Sequence, residues 1–174
     1  NQSYQEVFAG GEDSLIKYMA GKDVSVPIQY STSDNNNSLP GIGINVHYDS
    51  SVIQPTGENN GVNALIDTFN QPKVLDDSND LDNDPNTDQY LPLIWADVVD
   101  SNFPGNELPT TLASIVFATN VEARDFITGQ PIQTTINYTS NAGITASGYD
   151  FKGQSTTLEA QTFNLDVDGD GRVG

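Results

Sequence analysis

The sequence predicts an all-β protein built as an antiparallel β-sandwich, and three observations support this. Apolar residues alternate with polar or small residues at a spacing of two along several segments, which is the periodicity of a half-buried strand. Clusters of Gly, Pro, Asn and Ser separate these segments, as turns do. Only residues 62–69 suit a helical turn. Short strands joined by such turns are typical of a β-sandwich.

The alternating pattern is clearest in three segments, residues 24–30, 42–48 and 132–138. Each segment ends on a tyrosine that is in phase with its aliphatic residues. We therefore expect three tyrosines in the core, Tyr30, Tyr48 and Tyr138. Pro27 has no N–H to donate to a neighbouring strand, so we expect an edge strand or a bulge at that position.

Two other segments, residues 91–99 and 112–118, are apolar on both faces. This pattern predicts central strands that are covered on both sides. Trp95 belongs to the first of these segments and should therefore lie in the core. Shorter strands are expected at residues 15–19, 51–54 and 158–165.

The composition limits the class of protein. A chain of 174 residues is long enough for one domain with its own core. It has no run of about 18 apolar residues, so we predict no membrane-spanning helix. Cysteine is absent, which excludes disulfides, thiol catalysis and cysteine-based metal sites.

The net charge of −18 arises mainly from aspartate, with 18 Asp against 6 Glu. Aspartate suits turns and the binding of hard cations. So negative a chain repels nucleic acid and anionic membrane surfaces and attracts divalent cations. Half of the aspartates lie in two short stretches, residues 76–88 and 166–170, and these stretches require a local explanation.

The first stretch, residues 76–88, contains six aspartates and no positive charge. Like charges at this density repel one another, so the segment either binds a cation or is a disordered acidic loop. Its oxygen side chains recur at every second position, as in a calcium loop, although Pro85 replaces the usual turn glycine. The predicted Ca²⁺ ligands are Asp80, Asp82, Asp84, Asn86 and Asp88.

The second stretch begins the pattern Asp-x-Asp-x-Asp-Gly of a calcium loop. Its predicted Ca²⁺ ligands are the side chains of Asp166, Asp168 and Asp170 and the carbonyl of Arg172. The acidic ligand at the twelfth position is absent, so we expect a piece of a longer protein, cut inside or beside a calcium module. A solvated acidic tail is the alternative. The predicted division is a sandwich over residues 1–163 and a truncated loop over residues 164–174.

Catalytic motifs are weak in this sequence. His47 is the only histidine and falls on the polar face of a strand, so we expect it to be exposed rather than part of a triad. No motif surrounds a serine nucleophile. A pair of carboxylates for glycoside hydrolysis stays open, but the abundance of aspartate makes any pairing weak support.

The order of the motifs resembles a cohesin module. Three stretches are similar to that family: residues 24–30, residues 41–53, and residues 94–97 followed by 112–119. The tail resembles the first calcium loop of a dockerin, the usual partner of cohesins. The resemblance implies a jelly-roll sandwich of about nine strands that binds protein and has no catalytic activity. Residues 76–88 form an insertion that an ordinary cohesin lacks.

The sequence thus favours a non-enzymatic, calcium-stabilised module of a large extracellular or cell-surface bacterial protein. It would serve adhesion or assembly by binding a protein partner, either dockerin-like or another surface protein. The alternative is a carbohydrate-binding module of a secreted polysaccharide-degrading protein, because such modules share the jelly-roll architecture and calcium sites. A fragment of a hydrolase is the third possibility.

Overall fold

The computed structural model describes residues 2–9, 14–124, 127–141 and 146–161. Within these residues the regular structure is almost entirely β-strand, with a 3₁₀ turn at Glu58–Gly61 and no α-helix, so the all-β prediction is confirmed. In the same residues no helix has the length and apolar character needed to cross a membrane. The helical turn expected at residues 62–69 is wrong, because Val62–Ala64 pairs as a strand.

The first sheet follows the strand order β13-β1-β3-β11-β6, with β7 also paired to β11. Its strands are β1 (Ser3–Phe8), β3 (Val24–Thr32), β6 (Ile53–Pro55), β7 (Val62–Ala64), β11 (Thr110–Thr119) and β13 (Tyr149–Gly153). The pair β1–β13 is parallel, whereas the pairs β1–β3, β3–β11, β11–β6 and β11–β7 are antiparallel.

The second sheet follows the order β2-β14-β12-β5-β9-β8. Its strands are β2 (Leu15–Met19), β5 (Gly41–Tyr48), β8 (Leu75–Asp76), β9 (Gln89–Ala96), β12 (Gln133–Ser140) and β14 (Thr156–Gln161). A separate two-stranded ribbon joins β4 (Ser38–Leu39) to β10 (Phe103–Pro104). The pair β2–β14 is parallel, so each of the two sheets contains one parallel pair and the sandwich is not wholly antiparallel.

The strand count differs from the nine that the resemblance implies, since the described residues form fourteen strands. Five of the fourteen, namely β4, β6, β7, β8 and β10, are only two or three residues long. Nine strands have five residues or more. The sandwich therefore has about nine principal strands, and the short ones pair along its edges and connections.

The core lies between the two sheets, where the inward residues of the alternating strands meet. Trp95 is buried, as are Tyr30, Tyr48 and Tyr138, so the predicted core positions are confirmed. Tyr48 packs edge-on against Phe117 of the opposite sheet, with the ring centroids 5.5 Å apart. Aromatic pairs of this geometry add to the stability gained from burial alone.

Several local predictions need correction. β9 ends at Ala96, and Val98 and Val99 are exposed, so the covered strand does not extend to residue 99.

β3 pairs on both sides, but its pairing with β1 in the described residues ends at Gln29. Pro27 therefore faces only β11 in the described pairing, which explains how an internal strand accommodates it.

β5 is buried along all eight of its residues, although its sequence alternates. Its inward residues pack in the core, as predicted. Of its outward residues, His47 is covered by the acidic loop, defined here as residues 76–88, which also contacts Asn137 on β12. Asn45 is hydrogen-bonded to Thr139 and Asn141. The alternation identified the strand correctly, but it could not reveal this third layer.

Gly41 begins β5 with a φ of 137°, and a Cβ at this position would lie 2.0 Å from the carbonyl oxygen of Trp95. Gly41→Ala should lower the free energy of unfolding by about 3 kcal/mol or more, because backbone strain and a steric clash combine. Gly57→Ala is the matched control, since Gly57 has a φ of 103° and open space around it. It should cost about 1–2 kcal/mol. Chemical denaturation measures both, and equal effects would contradict the close approach.

Candidate functional site

The acidic loop connects β8 to β9 and folds back over the outer face of the second sheet. Its two ends are joined because Asp77 donates its backbone N–H to the carbonyl oxygen of Asp88 at 2.9 Å. Asp76 also pairs with Gln89 in the β8–β9 ladder. The loop is thus a closed connection anchored at its base, and its middle part reaches β5 and β12.

His47 lies beneath this loop and is fully buried. Its Nδ1 is 3.0 Å from Asp77 Oδ2, and its Nε2 is 2.7 Å from Oγ1 of Thr139 on β12. The imidazole ring also packs against Tyr90, with the ring centroids 5.2 Å apart. The expectation of an exposed histidine is wrong. His47 does point outward from the sheet, but the acidic loop covers it.

Asp82 and Asp84 are brought together by one side chain of β12. Asn137 donates its amide hydrogens to Asp82 Oδ2 at 3.0 Å and to Asp84 Oδ2 at 3.1 Å. The hydroxyl of Thr87, which is buried, makes a short hydrogen bond to Asp82 Oδ2. The hydroxyl of Ser155 donates to Asn137 Oδ1 at 2.6 Å and so fixes the orientation of the amide. These bonds attach the middle of the acidic loop to the sheet.

The environment of Asp82 favours its charged form. Burial acts to raise the pKa of this carboxyl, but the hydrogen bonds from Thr87 and Asn137 and the attraction of His47 outweigh burial. The pKa of Asp82 is therefore lower than that of a free aspartate. Its side chain is only 2% exposed, so an ionised carboxylate is held here almost without water.

The other predicted loop ligands are directed elsewhere. Asp80 Oδ1 accepts the backbone N–H of Asp84 at 2.8 Å, in a turn where Asp80 itself has a φ of 51°. Asp88 accepts the N–H and the hydroxyl of Ser50 at 2.8 and 2.6 Å. Burial of Asp88 acts to raise its pKa, yet these two bonds lower it overall. The structure thus brings Asp82 and Asp84 together and places Asp80 and Asp88 at the two flanks.

Asn86 lines a small pocket between the acidic loop and β12. Asp84 and Thr87 of the loop line this pocket, together with Asp49 and several β12 side chains, Gln133, Thr134 and Thr135. Every side chain in that set carries an oxygen atom. The pocket is therefore the part of the acidic loop whose donor chemistry suits a hard cation. The tail ligands Asp166, Asp168, Asp170 and Arg172 lie outside the described residues, as does the predicted domain boundary at residue 163.

Sequence analysis missed the residues that hold the loop in place. The sequence predicts Asp77 only as one of the clustered aspartates, and it predicts neither Asn137 nor Thr139 as a site residue. One signal was present: His47, Asn137 and Thr139 all fall on the polar face of their strands. A polar strand face that carries the only histidine is therefore a candidate for contact with the six clustered aspartates, which no lysine or arginine in their own segment neutralises.

Comparison with solved structures identifies the fold. One similar structure is the sixth cohesin of scaffoldin B from Acetivibrio cellulolyticus, solved with a dockerin, at 10% identity and a TM-score of 0.55. That match covers 92% of this chain and 100% of the other. The cohesin CaCohA2 of Clostridium acetobutylicum is 13% identical with a TM-score of 0.56, covering 92% of each chain.

A third similar structure is the cohesin of a type I cohesin–dockerin complex from Clostridium thermocellum. It is 12% identical with a TM-score of 0.54, covering 91% of this chain and 99% of the other. No protein-family model matches the sequence, and no curated protein matches it. At such identities the similarity defines the fold alone, and the protein is therefore a β-sandwich of the cohesin-like jelly-roll class.

Asn137→Ala should loosen the acidic loop, because Asp82 and Asp84 lose a shared donor in a partly buried place. We expect stability to fall by about 1–3 kcal/mol and hydrogen exchange to accelerate in residues 76–88. Asn141→Ala is the matched control. Asn141 bonds to Asn45 on the same face and has no bond to the loop in the described residues. Equal acceleration in both variants would contradict the attachment through Asn137.

Proposed function

We infer that this protein is a non-catalytic module that binds another protein and belongs to a large extracellular bacterial protein. The observation that supports this most strongly is the fold. Over at least 90% of the chain it matches cohesin modules, and two of the three described above were solved together with a dockerin. A dockerin-like module is therefore the first partner class to test, followed by other surface proteins.

One edge of the second sheet offers an anchoring surface for such a partner. Phe69 donates its N–H to the carbonyl oxygen of Ile94 at 2.6 Å, and Trp95 Nε1 donates to the carbonyl oxygen of Ile66 at 2.7 Å. These bonds fix residues 65–70 beside the end of β9. A groove there is lined by residues 66–67, 95–97 and 102–104.

Large apolar side chains flank this groove, which we call the β9 groove. Leu65 and Phe69 are close in sequence to lining residues 66–67 and are exposed, at 64% and 77% of their surface. Val98 and Val99 follow lining residue Asp97 and are also exposed. Exposed apolar groups of this size gain stability when a partner covers them. A basic partner fits best, because the charge of −18 attracts it over long range and raises the association rate.

We also propose that the acidic loop holds Ca²⁺ and that this cation stabilises the fold. The support is the oxygen-lined pocket at Asp84, Asn86 and Asp49, together with the repulsion among six aspartates that no lysine or arginine neutralises within the loop. Of the five Ca²⁺ ligands predicted from sequence in this loop, Asp84 and Asn86 line this pocket. The tail loop with Asp166, Asp168, Asp170 and Arg172 is a second proposed Ca²⁺ site, weaker in this chain because its later ligands are missing.

Binding to a panel of dockerin modules and extracellular proteins, measured by biolayer interferometry, tests the protein-binding function. We expect at least one protein partner, and Phe69→Ala should weaken its affinity about tenfold or more because an apolar anchor is lost. Val121→Ala is the matched control, since Val121 is equally exposed but lies against Gly21, away from the β9 groove.

The same panel should include soluble polysaccharides. Binding to polysaccharide alone, competed by short oligosaccharides, would instead establish the carbohydrate-binding alternative. Turnover of a glycan or peptide would contradict a non-catalytic module if a single Asp→Asn change outside the two calcium loops abolished that turnover.

Removing Ca²⁺ with a chelator should lower the melting temperature by several degrees and expose residues 76–88 to proteases, because a ligand bound only to the native state stabilises it. Asp84→Asn should reduce this calcium-dependent shift, whereas the exposed Asp23→Asn, just before β3, should preserve it. Both variants retain the tail loop, so their difference reports the acidic loop alone. A chelator that changes neither melting nor protease resistance would show that the loop is stable without calcium.

A further inference from the structure

Beneath the acidic loop, three side chains able to bind a metal converge at one buried point. His47, Asp77 and Asp82 each offer a ligand atom, and these atoms lie within 4.8 Å of one another. His47 Nδ1 is 3.0 Å from Asp77 Oδ2 and 3.7 Å from Asp82 Oδ2. Two ligands of a tetrahedral ion with bonds of about 2.0–2.1 Å stand roughly 3.3 Å apart. The two distances from His47 Nδ1, 3.0 and 3.7 Å, are therefore close to the spacing of ligands in a coordination sphere.

His47 and Asp77 are each oriented by a second contact that leaves one atom for the centre. Thr139 holds His47 at Nε2, which leaves Nδ1. The backbone N–H of Leu81 donates to Asp77 Oδ1 at 2.9 Å, which leaves Oδ2. Metal ligands are commonly fixed in this way, by a partner on the atom that does not bind the ion.

Asp82 provides independent support for a cation-binding site. Its Oδ2, the atom 3.7 Å from His47 Nδ1, also accepts the hydrogen bonds from Thr87 and Asn137. Its Oδ1 is buried and, in the part of the chain that the structure describes, has no hydrogen-bond partner. An ionised oxygen without water or a donor is strongly unfavourable. A bound cation would supply the interaction that this oxygen lacks.

The charge balance leads to the same conclusion. Asp77 and Asp82 are 1% and 2% exposed at their side chains, and within the described residues neither forms an ion pair with a lysine or arginine. A protonated His47 would neutralise only one of the two carboxylates. A divalent cation bound to a neutral imidazole neutralises both carboxylates. In the neutral ring, Nε2 carries the proton and donates it to Thr139, so the lone pair of Nδ1 is free to bind the ion.

We propose that His47, Asp77 and Asp82 form a buried structural site for a divalent transition metal such as Zn²⁺, which joins the acidic loop to β5. The nitrogen ligand distinguishes this site from the oxygen-lined calcium pocket at Asp84 and Asn86, because Ca²⁺ and Mg²⁺ prefer oxygen alone. Asp82, predicted from sequence as a calcium ligand, belongs by its position to the nitrogen-containing site. This site goes beyond the protein-binding function and does not depend on it.

Zn²⁺ titration of the metal-stripped chain, in the presence of millimolar Ca²⁺ to occupy the oxygen sites, tests this proposal. Calorimetry should show one Zn²⁺ per chain, and the melting temperature should rise by about 5–10 °C at a hundredfold excess over the Kd. X-ray absorption at the zinc edge should show scattering from one imidazole, which His47 alone can supply because it is the only histidine.

His47→Gln and Asp82→Asn should each weaken Zn²⁺ binding by about a hundredfold or more, since each removes a direct ligand. Asp80→Asn is the matched control in the same loop and should leave Zn²⁺ binding unchanged, because Asp80 bonds to the backbone of Asp84 instead. The absorption measurement on the unmodified chain decides the question even where a variant fails to fold. Partner binding is measured separately, so the two proposals succeed or fail independently.

Two results would overturn the proposal. Equal Zn²⁺ affinity in the wild type and both ligand variants, with no imidazole scattering, would show binding to surface carboxylates only. No Zn²⁺-dependent shift in the melting temperature of the wild type would show that the hydrogen bonds of His47 and Asp82 hold the loop without a metal.

Discussion

The contact of buried His47 with Asp77 and Thr139 is the interaction on which the outer face of the second sheet depends. It joins three segments distant in sequence: β5, the acidic loop and β12. Without it, repulsion among the six aspartates would favour detachment of the loop from the sheet. With it, the loop becomes a third layer over a sandwich that otherwise has two.

The two-sheet part of the fold was predictable because burial in a sheet repeats every second residue. Trp95, Tyr30 and Tyr138 could be assigned to the core from their phase in the strands alone. The parallel pairs β1–β13 and β2–β14 could not, because they join the two ends of the chain and no local pattern specifies a neighbour more than a hundred residues away. The third layer was not predictable either, because polar residues covered by a loop and polar residues exposed to water give the same sequence pattern.

For the candidate site, sequence identified the right segment but grouped its ligands by spacing. Regular spacing implies convergence only when the backbone wraps around one point, as in a glycine-containing calcium loop. Here the left-handed residues Asp80 and Asn83 turn the backbone, and Pro85 stands where a calcium loop has its glycine. Asp88 therefore binds Ser50, while Asp82 turns inward to His47.

The most direct test of the account is the accessibility of its single histidine. Metal-stripped protein is treated with diethyl pyrocarbonate, and mass spectrometry measures the rate at which His47 is modified. The rate should be at least about a hundredfold lower in the native chain than in the unfolded chain, because the acidic loop must open before the reagent can reach the ring. Modification of the native protein at a rate close to that of the unfolded chain would show that the loop does not cover His47. The third layer, and the site proposed within it, would then be contradicted.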